Sequence, residues 1–219
     1  MVAKIGSKAL NLKVSKWVQG VPTNIDKEKD NVVLVEVFQV NCPGCFLYAI
    51  PEAINIYRKY HSDGVKVIGL ATAFEDYDKN TLENLELLLT AGEVIGETRN
   101  VLGQYGQLHE NKLSYKIPFP VAMDSLKKES ASLSQSRVMD FIETRFQDFR
   151  SYNEQYREEL IEHIKQYLRT KQYTAETFEE YALQGTPSSI LIDKKGILRQ
   201  VTFGQNGFLE DIVHALLKE

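Results

Sequence analysis

Two long apolar runs, with a helical repeat between them, organise the first third of the chain. Residues 32–40 and 65–74 contain few polar side chains, which is the pattern of parallel strands buried on both faces of a sheet. Between them, residues 46–57 place an apolar side chain every three to four positions, which predicts one buried helix face. Together the three segments predict a β-α-β unit with a right-handed crossover.

Shorter elements are predicted on both sides of this unit. Residues 9–30 mix short alternating stretches with Gly20 and Pro22, which favours an N-terminal strand or hairpin. The other elements predicted from the pattern are helices over 80–91 and 94–105, a strand hairpin over 189–193 and 197–204, and a final helix with the apolar stripe Phe208, Ile212 and Leu216.

Both cysteines of the chain, Cys42 and Cys45, lie where the first apolar run ends and the helical repeat begins. A cysteine at a helix N-terminus faces unpaired backbone N–H groups and the positive end of the helix dipole. Its pKa therefore falls from about 8.5 toward 7 or lower. This predicts that Cys42 is a nucleophile. Cys45, one helical turn on, can attack a mixed disulfide formed at Cys42 and close a small disulfide ring.

Two other interpretations of the cysteine pair stay open. The pair could be half of a zinc site, but the chain offers no third cysteine and only four scattered histidines as further ligands. The pair could also be two inert thiols in the core. Redox chemistry is favoured over both, and no metal is expected.

Composition and charge narrow the classes of function. The 219 residues include 43% hydrophobic residues, which is enough for a globular protein with an ordinary core. The net charge of −4 argues against a nucleic-acid partner or an anionic membrane surface, because both need clustered Lys and Arg. The first ten residues lack the apolar core of a signal peptide, and no window of about 18 apolar residues exists. A cytoplasmic location is therefore expected, where a lone Cys-x-x-Cys is more often a redox motif than a structural disulfide.

Two motifs carry a resemblance to a known family. The first is the Cys-Pro-Gly-Cys sequence at 42–45 between a strand and a helix, and the second is the Gly-Thr-Pro-Ser-Ser sequence at 185–189, which opens a strand. In this order they resemble the thioredoxin superfamily, closest to its TlpA/ResA-like and redoxin branch. The resemblance implies an α/β, thioredoxin-like fold over residues 1–219 as a single domain, with a central mixed β-sheet flanked by helices. Residues 119–124 resemble the short strand that precedes the proline loop in the family.

The same resemblance implies an activity and a substrate-binding surface. The expected protein is a thiol:disulfide oxidoreductase that exchanges with protein disulfides and dithiols, takes electrons from an unidentified thiol donor and needs no cofactor. Thr186 and Pro187 match the cis-proline loop, which packs beside the cysteines and offers backbone groups to an extended substrate segment. Pro43 and Gly44 are expected to share in substrate binding. A plain turn is the alternative interpretation of Thr186-Pro187.

Glu36 is the one charged residue within the apolar run of 32–40. A carboxyl buried in a central strand has its pKa raised by desolvation, which lets it exchange a proton with the resolving thiol of Cys45 near neutral pH. Alternatively, Glu36 lies at an edge and reaches solvent or an ion-pair partner. The acid/base role is favoured because Val35 and Val37 are apolar and a lone charge between them needs a reason.

The chain departs from the family pattern at several positions. Pro51 lies inside the predicted helix, where it is expected to cause a kink. It follows Cys45 by six residues, whereas five is usual in the family, so the kink or the helix start is expected to shift by one residue. Gln39 and Asn41 stand where aromatic residues often flank the motif, and Tyr48 stands where some ResA-like proteins have Glu. These differences bear on the choice of substrate.

A helical insertion over 125–184 is predicted before the proline loop. The segment contains no Pro or Gly and places apolar residues at helical spacing, which favours a long helix or a helical hairpin, then a shorter helix over about 175–183. Its aromatic stripe must be covered by a second inserted helix, by the domain or by another subunit. We expect the insertion to narrow substrate access beside Cys42 and to contribute to a homodimer contact.

Two other functions compete with disulfide exchange. A peroxiredoxin-like peroxide reductase would carry Thr three residues and Pro seven residues before the reactive cysteine, and these positions hold Gln39 and Val35. The second alternative is a non-catalytic binding protein or redox sensor, whose helical insertion is the working surface.

Overall fold

The computed structural model describes residues 2–129, 132–146, 148–205 and 207–219, which divide into two compact units. Unit 1 comprises residues 1–126 and 175–219, and unit 2 comprises residues 127–174. The strands are β1 (Val14–Gln19), β2 (Val32–Phe38), β3 (Val65–Ala71), β4 (Leu108–His109), β5 (Lys112–Leu113), β6 (Val121–Asp124), β7 (Leu126–Lys128), β8 (Tyr173–Ala175), β9 (Ser188–Ile192) and β10 (Leu198–Phe203). The α-helices are α1 (Ile50–Tyr60), α2 (Leu82–Ala91), α3 (Gly96–Gln104), α4 (Gln135–Arg145), α5 (Glu154–Thr170), α6 (Glu176–Glu180) and α7 (Leu209–Lys218).

A six-stranded mixed sheet forms the centre of unit 1, with strand order β1-β6-β3-β2-β9-β10. The inner strands β2, β3 and β6 are parallel, while β1, β9 and β10 join antiparallel. Every residue of β2 is buried, because this strand has neighbours on both sides and packed layers on both faces. That environment explains its nearly uninterrupted apolar sequence. The predicted β-α-β unit is β2-α1-β3.

The two faces of the sheet bury two separate cores. Alternation along β2 sends Leu34 and Phe38 to a core shared with helices α1, α2, α3 and α7. Val33, Val35 and Val37 face the opposite core, which is shared with the N-terminal segment and α6. By the same alternation, the side chain at position 36 lies on the α1 side of the sheet.

Unit 2 is a helical hairpin in which α4 and α5 pack against each other. The chain enters the unit through β7 and leaves it through β8, and these two strands pair. The guanidinium of Arg145 lies 3.9 Å from the ring centroid of Phe141, within cation–π range. The hairpin buries part of the apolar stripe predicted from the sequence: Ile142, Phe149 and Ile164 lie in its core with Val138 and Leu168. The predicted position Tyr156 is 50% exposed.

Unit 2 covers fewer residues, 127–174, than the insertion predicted over 125–184. Residues 175–183, predicted as the last helix of that insertion, belong to unit 1, where α6 contributes Phe178 to the sheet core, followed by Tyr181 and Leu183. Among the described residues, no helix combines the length and the apolar character needed to cross a membrane.

Candidate active site

Cys42 and Cys45 form a disulfide between the end of β2 and the start of α1, with 5.4 Å between their Cα atoms. Cys42 is half-buried, whereas Cys45 is 0% exposed. The backbone N–H of Cys45 donates to Sγ of Cys42 at 3.3 Å. A backbone donor at a helix start favours a thiolate at Cys42 once the disulfide is reduced. Of the two cysteines, Cys42 is the one with surface exposed to solvent.

The turn that begins at Cys45 is π-helical over Cys45–Ala49, and α1 follows from Ile50. In this turn, the N–H of Ile50 donates to the carbonyl of Cys45, which is an i to i+5 bond. A π turn holds one residue more than an α turn, so it accommodates the extra residue between Cys45 and Pro51. Pro51 is the second residue of α1, but the helical stretch that contains it is continuous from residue 43 to residue 60. It therefore lies inside the helix, as the sequence predicted, and its missing N–H removes one backbone hydrogen bond there.

The loop at Thr186-Pro187 lies beside the cysteines, and the peptide bond between these two residues is cis. The carbonyl oxygen of Thr186 lies 3.6 Å from Sγ of Cys42. A Cβ added at Gly44 would lie 3.9 Å from Cδ of Pro187, so these residues are neighbours. The structure thus brings together the Cys-x-x-Cys motif and the proline loop, which the sequence separates by about 140 residues.

Glu36 is 0% exposed and lies in the centre of the sheet, where β2 pairs it with Ser189 of β9. The hydroxyl of Ser189 donates to its Oε2 at 2.7 Å, and Oε1 is buried with no hydrogen-bond partner among the described residues. Burial raises the pKa of Glu36 from its ordinary value of 4.5 to about 8; the hydrogen bond from Ser189 opposes this rise, and the charge of Glu52 adds to it. Glu36 is therefore a neutral acid at pH 7, on the sheet face whose core contains Cys45.

Gln39 connects two loops at this end of the sheet. The Thr186 hydroxyl donates to Oε1 of Gln39 at 3.2 Å, and the Gln39 amide donates to the carbonyl of Glu75 at 3.2 Å. Gln39 is 2% exposed. This residue, which the sequence marked only as a departure from an aromatic position, ties the proline loop to the loop that follows β3.

Asn41, the residue before Cys42, makes a similar connection. Its backbone N–H donates to Oδ1 of Asn80 at 2.9 Å, and its amide nitrogen donates to Asp76 at 2.7 Å. Its amide oxygen accepts from the N–H of Glu97 at 2.8 Å. A Cβ at Gly96, which has a φ of +52°, would lie 2.2 Å from that amide oxygen, so this approach requires glycine.

Asp124 is a second buried carboxyl, which the sequence analysis did not single out. It accepts hydrogen bonds from the Thr72 hydroxyl at 2.9 Å and from the N–H groups of Thr177 and Phe178 at 3.0 and 3.2 Å. Burial raises its pKa to about 6, against the effect of these hydrogen bonds. The contacts fix the start of α6, the helix that leads toward the proline loop. A charge at the end of the apolar stretch 119–124 was the available signal.

Within the described part of the chain, no group of three or more His, Cys, Asp or Glu side chains is arranged to hold a metal ion. The cysteine pair and the proline loop lie together at this end of the sheet, and the carboxyl of Glu36 is buried on the sheet face whose core contains Cys45. Together they can carry out thiol-disulfide exchange: one accessible sulfur, one buried sulfur next to it, and a proton-holding group on the same face of the sheet.

Comparison with known proteins places the fold. No family model matches the chain, and no curated protein does. Among solved structures, a thiol-disulfide isomerase from Corynebacterium glutamicum is 28% identical with a TM-score of 0.59, and the alignment covers 99% of this chain and 97% of that one. A thioredoxin-like superfamily protein is 24% identical with a TM-score of 0.59, covering 97% of both chains. The thioredoxin domain of a thiol-disulfide oxidoreductase from Bacteroides vulgatus is 14% identical with a TM-score of 0.50, covering 98% of both.

These likenesses extend over almost the whole length of each chain and agree with the family indicated by the two sequence motifs. The mixed sheet flanked by helices is the predicted fold class, and that prediction is confirmed. The finer TlpA/ResA-like assignment fits at the level of the superfamily. We conclude that the chain has a thioredoxin-like fold.

Proposed function

We propose that this protein is a thiol:disulfide oxidoreductase whose Cys42-Cys45 pair exchanges with disulfides and dithiols of protein substrates. One observation carries the proposal: a half-exposed sulfur that receives a backbone N–H lies against the carbonyl of Thr186, while its partner sulfur is fully buried. The likeness to a thiol-disulfide isomerase at 28% identity supports it.

In the reducing direction, the Cys42 thiolate attacks one sulfur of a substrate disulfide. A bond forms between Cys42 and that sulfur, and the other substrate sulfur leaves as a thiolate. Cys45 then loses its proton and attacks Cys42. The Cys42-Cys45 disulfide forms, the bond to the substrate breaks, and the second substrate sulfur leaves with the electron pair and takes up a proton. A thiol donor of the cell must then return two electrons to the pair.

Glu36 is proposed to hold and move the proton of the resolving thiol. Its raised pKa makes it a neutral acid near pH 7 that is close to the point of titration. The ionised form of the carboxyl, a minor fraction at pH 7, is the form that accepts the Cys45 proton. Its Oε1 atom has no hydrogen-bond partner in the part of the chain that the structure describes, so it can take up that proton without breaking an existing bond. Thr186, Pro187, Pro43 and Gly44 are proposed to receive the extended substrate segment, with the Thr186 carbonyl as the backbone acceptor beside Cys42.

Three finer assignments stay predictions. The use of a thiol electron donor, whose identity the sequence does not give, and the cytoplasmic location come from the sequence alone. A homodimer through unit 2 has less to support it than the sequence indicated, because the hairpin buries much of its own apolar stripe. Among the described residues of this unit, Tyr156 is the large aromatic side chain that stays exposed. Light scattering decides this last point, since a mass of 25.0 kDa would remove the dimer.

The experiment that tests the proposed function measures insulin-disulfide reduction and peroxide consumption side by side, with dithiothreitol as the electron source. Reduction of insulin without turnover of peroxide is expected. Efficient peroxide turnover would support the peroxiredoxin-like alternative, and inactivity in both assays would support a binding or sensing role. The Cys42→Ser variant is the matched control, because it keeps the fold and removes the accessible sulfur.

A further inference from the structure

The residue that follows the resolving cysteine has a backbone carbonyl that its own helix leaves without a donor. In the π turn, the N–H of Ile50 is used by the carbonyl of Cys45. The next donor in the same i to i+5 pattern is residue 51, which would serve Phe46, but Pro51 has no N–H. Because Phe46 is buried, this carbonyl needs a partner from another part of the protein.

Tyr115 supplies that partner. Its hydroxyl donates to the carbonyl of Phe46 at 2.8 Å, across 69 residues of sequence. Tyr115 lies in the loop between β5 and β6, and its ring packs against the core that contains Cys45 and Phe46. Burial raises the pKa of the Tyr115 phenol, so the hydroxyl keeps its proton and stays a donor at every pH at which the enzyme works.

We propose that Tyr115 is a positioning residue for the resolving thiol, which is an inference that rests on the proposed function. Cys45 is fully buried, and its Sγ can be directed at Cys42 only through the backbone of the turn that it begins. The hydroxyl of Tyr115 holds that turn one residue later. It thereby keeps the Cys45 sulfur in line with the bond between Cys42 and the substrate sulfur during the resolving attack.

The expected effect is specific to one step. Removing the hydroxyl leaves the Phe46 carbonyl buried and unsatisfied, so the turn relaxes toward another donor. A displacement of about 1 Å in a reacting group can lower a rate by about 100-fold, and a partial relaxation is expected to cost about 10-fold. Cys42 is not directly held by Tyr115, so the first attack on a substrate disulfide keeps its rate.

A single-turnover experiment with the full-length protein tests this inference. Reduced enzyme is mixed with oxidised glutathione, quenched with acid and analysed by mass spectrometry. Formation of the Cys42-glutathione adduct reports the first attack, and its decay to the Cys42-Cys45 disulfide reports the resolving attack. For Tyr115→Phe, adduct formation within twofold of wild type and decay about 10-fold slower are expected.

The Pro51→Ala variant provides a rescue by a second substitution. It restores an N–H at residue 51, which can donate to the Phe46 carbonyl in the π pattern. In the double variant, Pro51→Ala with Tyr115→Phe, the adduct should therefore decay at nearly the same rate as in Pro51→Ala alone. Tyr181→Phe is the matched control, because it removes a tyrosine hydroxyl that also donates to a backbone carbonyl, that of Leu10. Its adduct should decay at the wild-type rate.

Several results would overturn the positioning role. These are wild-type decay in Tyr115→Phe, equal slowing of both steps, or a slowing that Pro51→Ala leaves unchanged. Failure of the proposed function gives a different signature, in which wild-type enzyme forms no adduct at all. Amide hydrogen exchange at Ile50 then reads the turn without activity: faster exchange in Tyr115→Phe and recovery with Pro51→Ala are expected, and unchanged exchange counts against the contact.

Discussion

Replacing Glu36 by Gln keeps the size and shape of a side chain at the centre of the sheet and removes its titration. The wild-type carboxyl is fully buried, has one hydrogen bond from Ser189 and has a pKa of about 8. In the unfolded chain the same carboxyl titrates near 4.5. The folded state therefore holds the proton more tightly, and folding becomes less favourable as the pH rises from about 4.5 to about 8.

The magnitude follows from the two pKa values. One pKa unit corresponds to about 1.4 kcal/mol, so the rise from 4.5 to about 8 costs about 5 kcal/mol in the free energy of unfolding once the pH is well above 8. Near pH 7, where the folded carboxyl is still mostly neutral, the loss is about 3 kcal/mol relative to pH 4.5. Below pH 4.5 the contribution of this group no longer changes with pH.

Urea unfolding of wild type and of Glu36→Gln at pH values from 4.5 to 8.5 measures this effect. The difference between the two unfolding free energies is the informative quantity, because it cancels titrations that both proteins share, such as that of Asp124. The unfolding free energy of the variant, relative to that of the wild type, is expected to increase steadily as the pH rises. A difference that is constant with pH would show that Glu36 titrates normally and that the reasoning from burial is wrong.

The same variant tests the proton-transfer role. If Glu36 accepts the proton of Cys45, the decay of a Cys42 mixed disulfide should slow about 10-fold or more near pH 7 in Glu36→Gln, while the fold survives. The pH dependence of that step near pH 8 should also disappear. Unchanged rates over this range, in a variant that shows the expected change in stability, would separate burial from catalysis and leave Glu36 without a role in the exchange.

Three further predictions concern the cysteines and the loops beside them. Cys45→Ser should trap substrates as mixed disulfides through Cys42, whereas Cys42→Ser should trap none, because the Cys45 sulfur is buried; equal trapping in mass spectrometry would reverse the assignment. Because the motif supplies a backbone donor but no cation, the reduction potential measured against glutathione should lie at roughly −200 to −280 mV, and a value near −120 mV would contradict a reductant. Thr186→Val and Gln39→Leu should each raise the KM for insulin about 3- to 10-fold and, combined, should raise it by less than the product of the two; full multiplication would show that the two side chains act separately.

Periodicity predicted most of the fold because the fold depends on burial. The apolar runs became β2 and β3, the helical repeats became α1 and the helices that cover the sheet, and Thr81 and Gly92 cap α2 as their residue types suggest. The buried position of Glu36 could also be predicted, because every position of a central strand covered on both faces is buried, including the one between two valines.

Contacts between segments distant in the chain could not be predicted from the sequence. Nothing at position 115 indicates that its hydroxyl will serve a carbonyl 69 residues away, and nothing at position 124 names its three donors. The π turn could be predicted only in part: the extra residue before Pro51 indicated a local change in the helix but not its form. Whether the chain would bend, shift or insert a residue depended on a donor for Phe46, which another loop provides.

The residues that replace the usual aromatic neighbours of the motif limit how a substrate can be recognised. Gln39 is buried, and both the oxygen and the nitrogen of its side-chain amide are hydrogen-bonded within the protein. The side-chain amide of Asn41 is likewise hydrogen-bonded, to Asp76 and Glu97. These amides therefore remove an apolar surface beside Cys42 without offering a polar one. The Thr186 carbonyl, 3.6 Å from the Cys42 sulfur, is a backbone acceptor that remains for a substrate. A backbone acceptor does not distinguish side chains, so we expect selectivity at this site to come from the contacts of Pro43 and Pro187 and from the shape of the substrate around its disulfide.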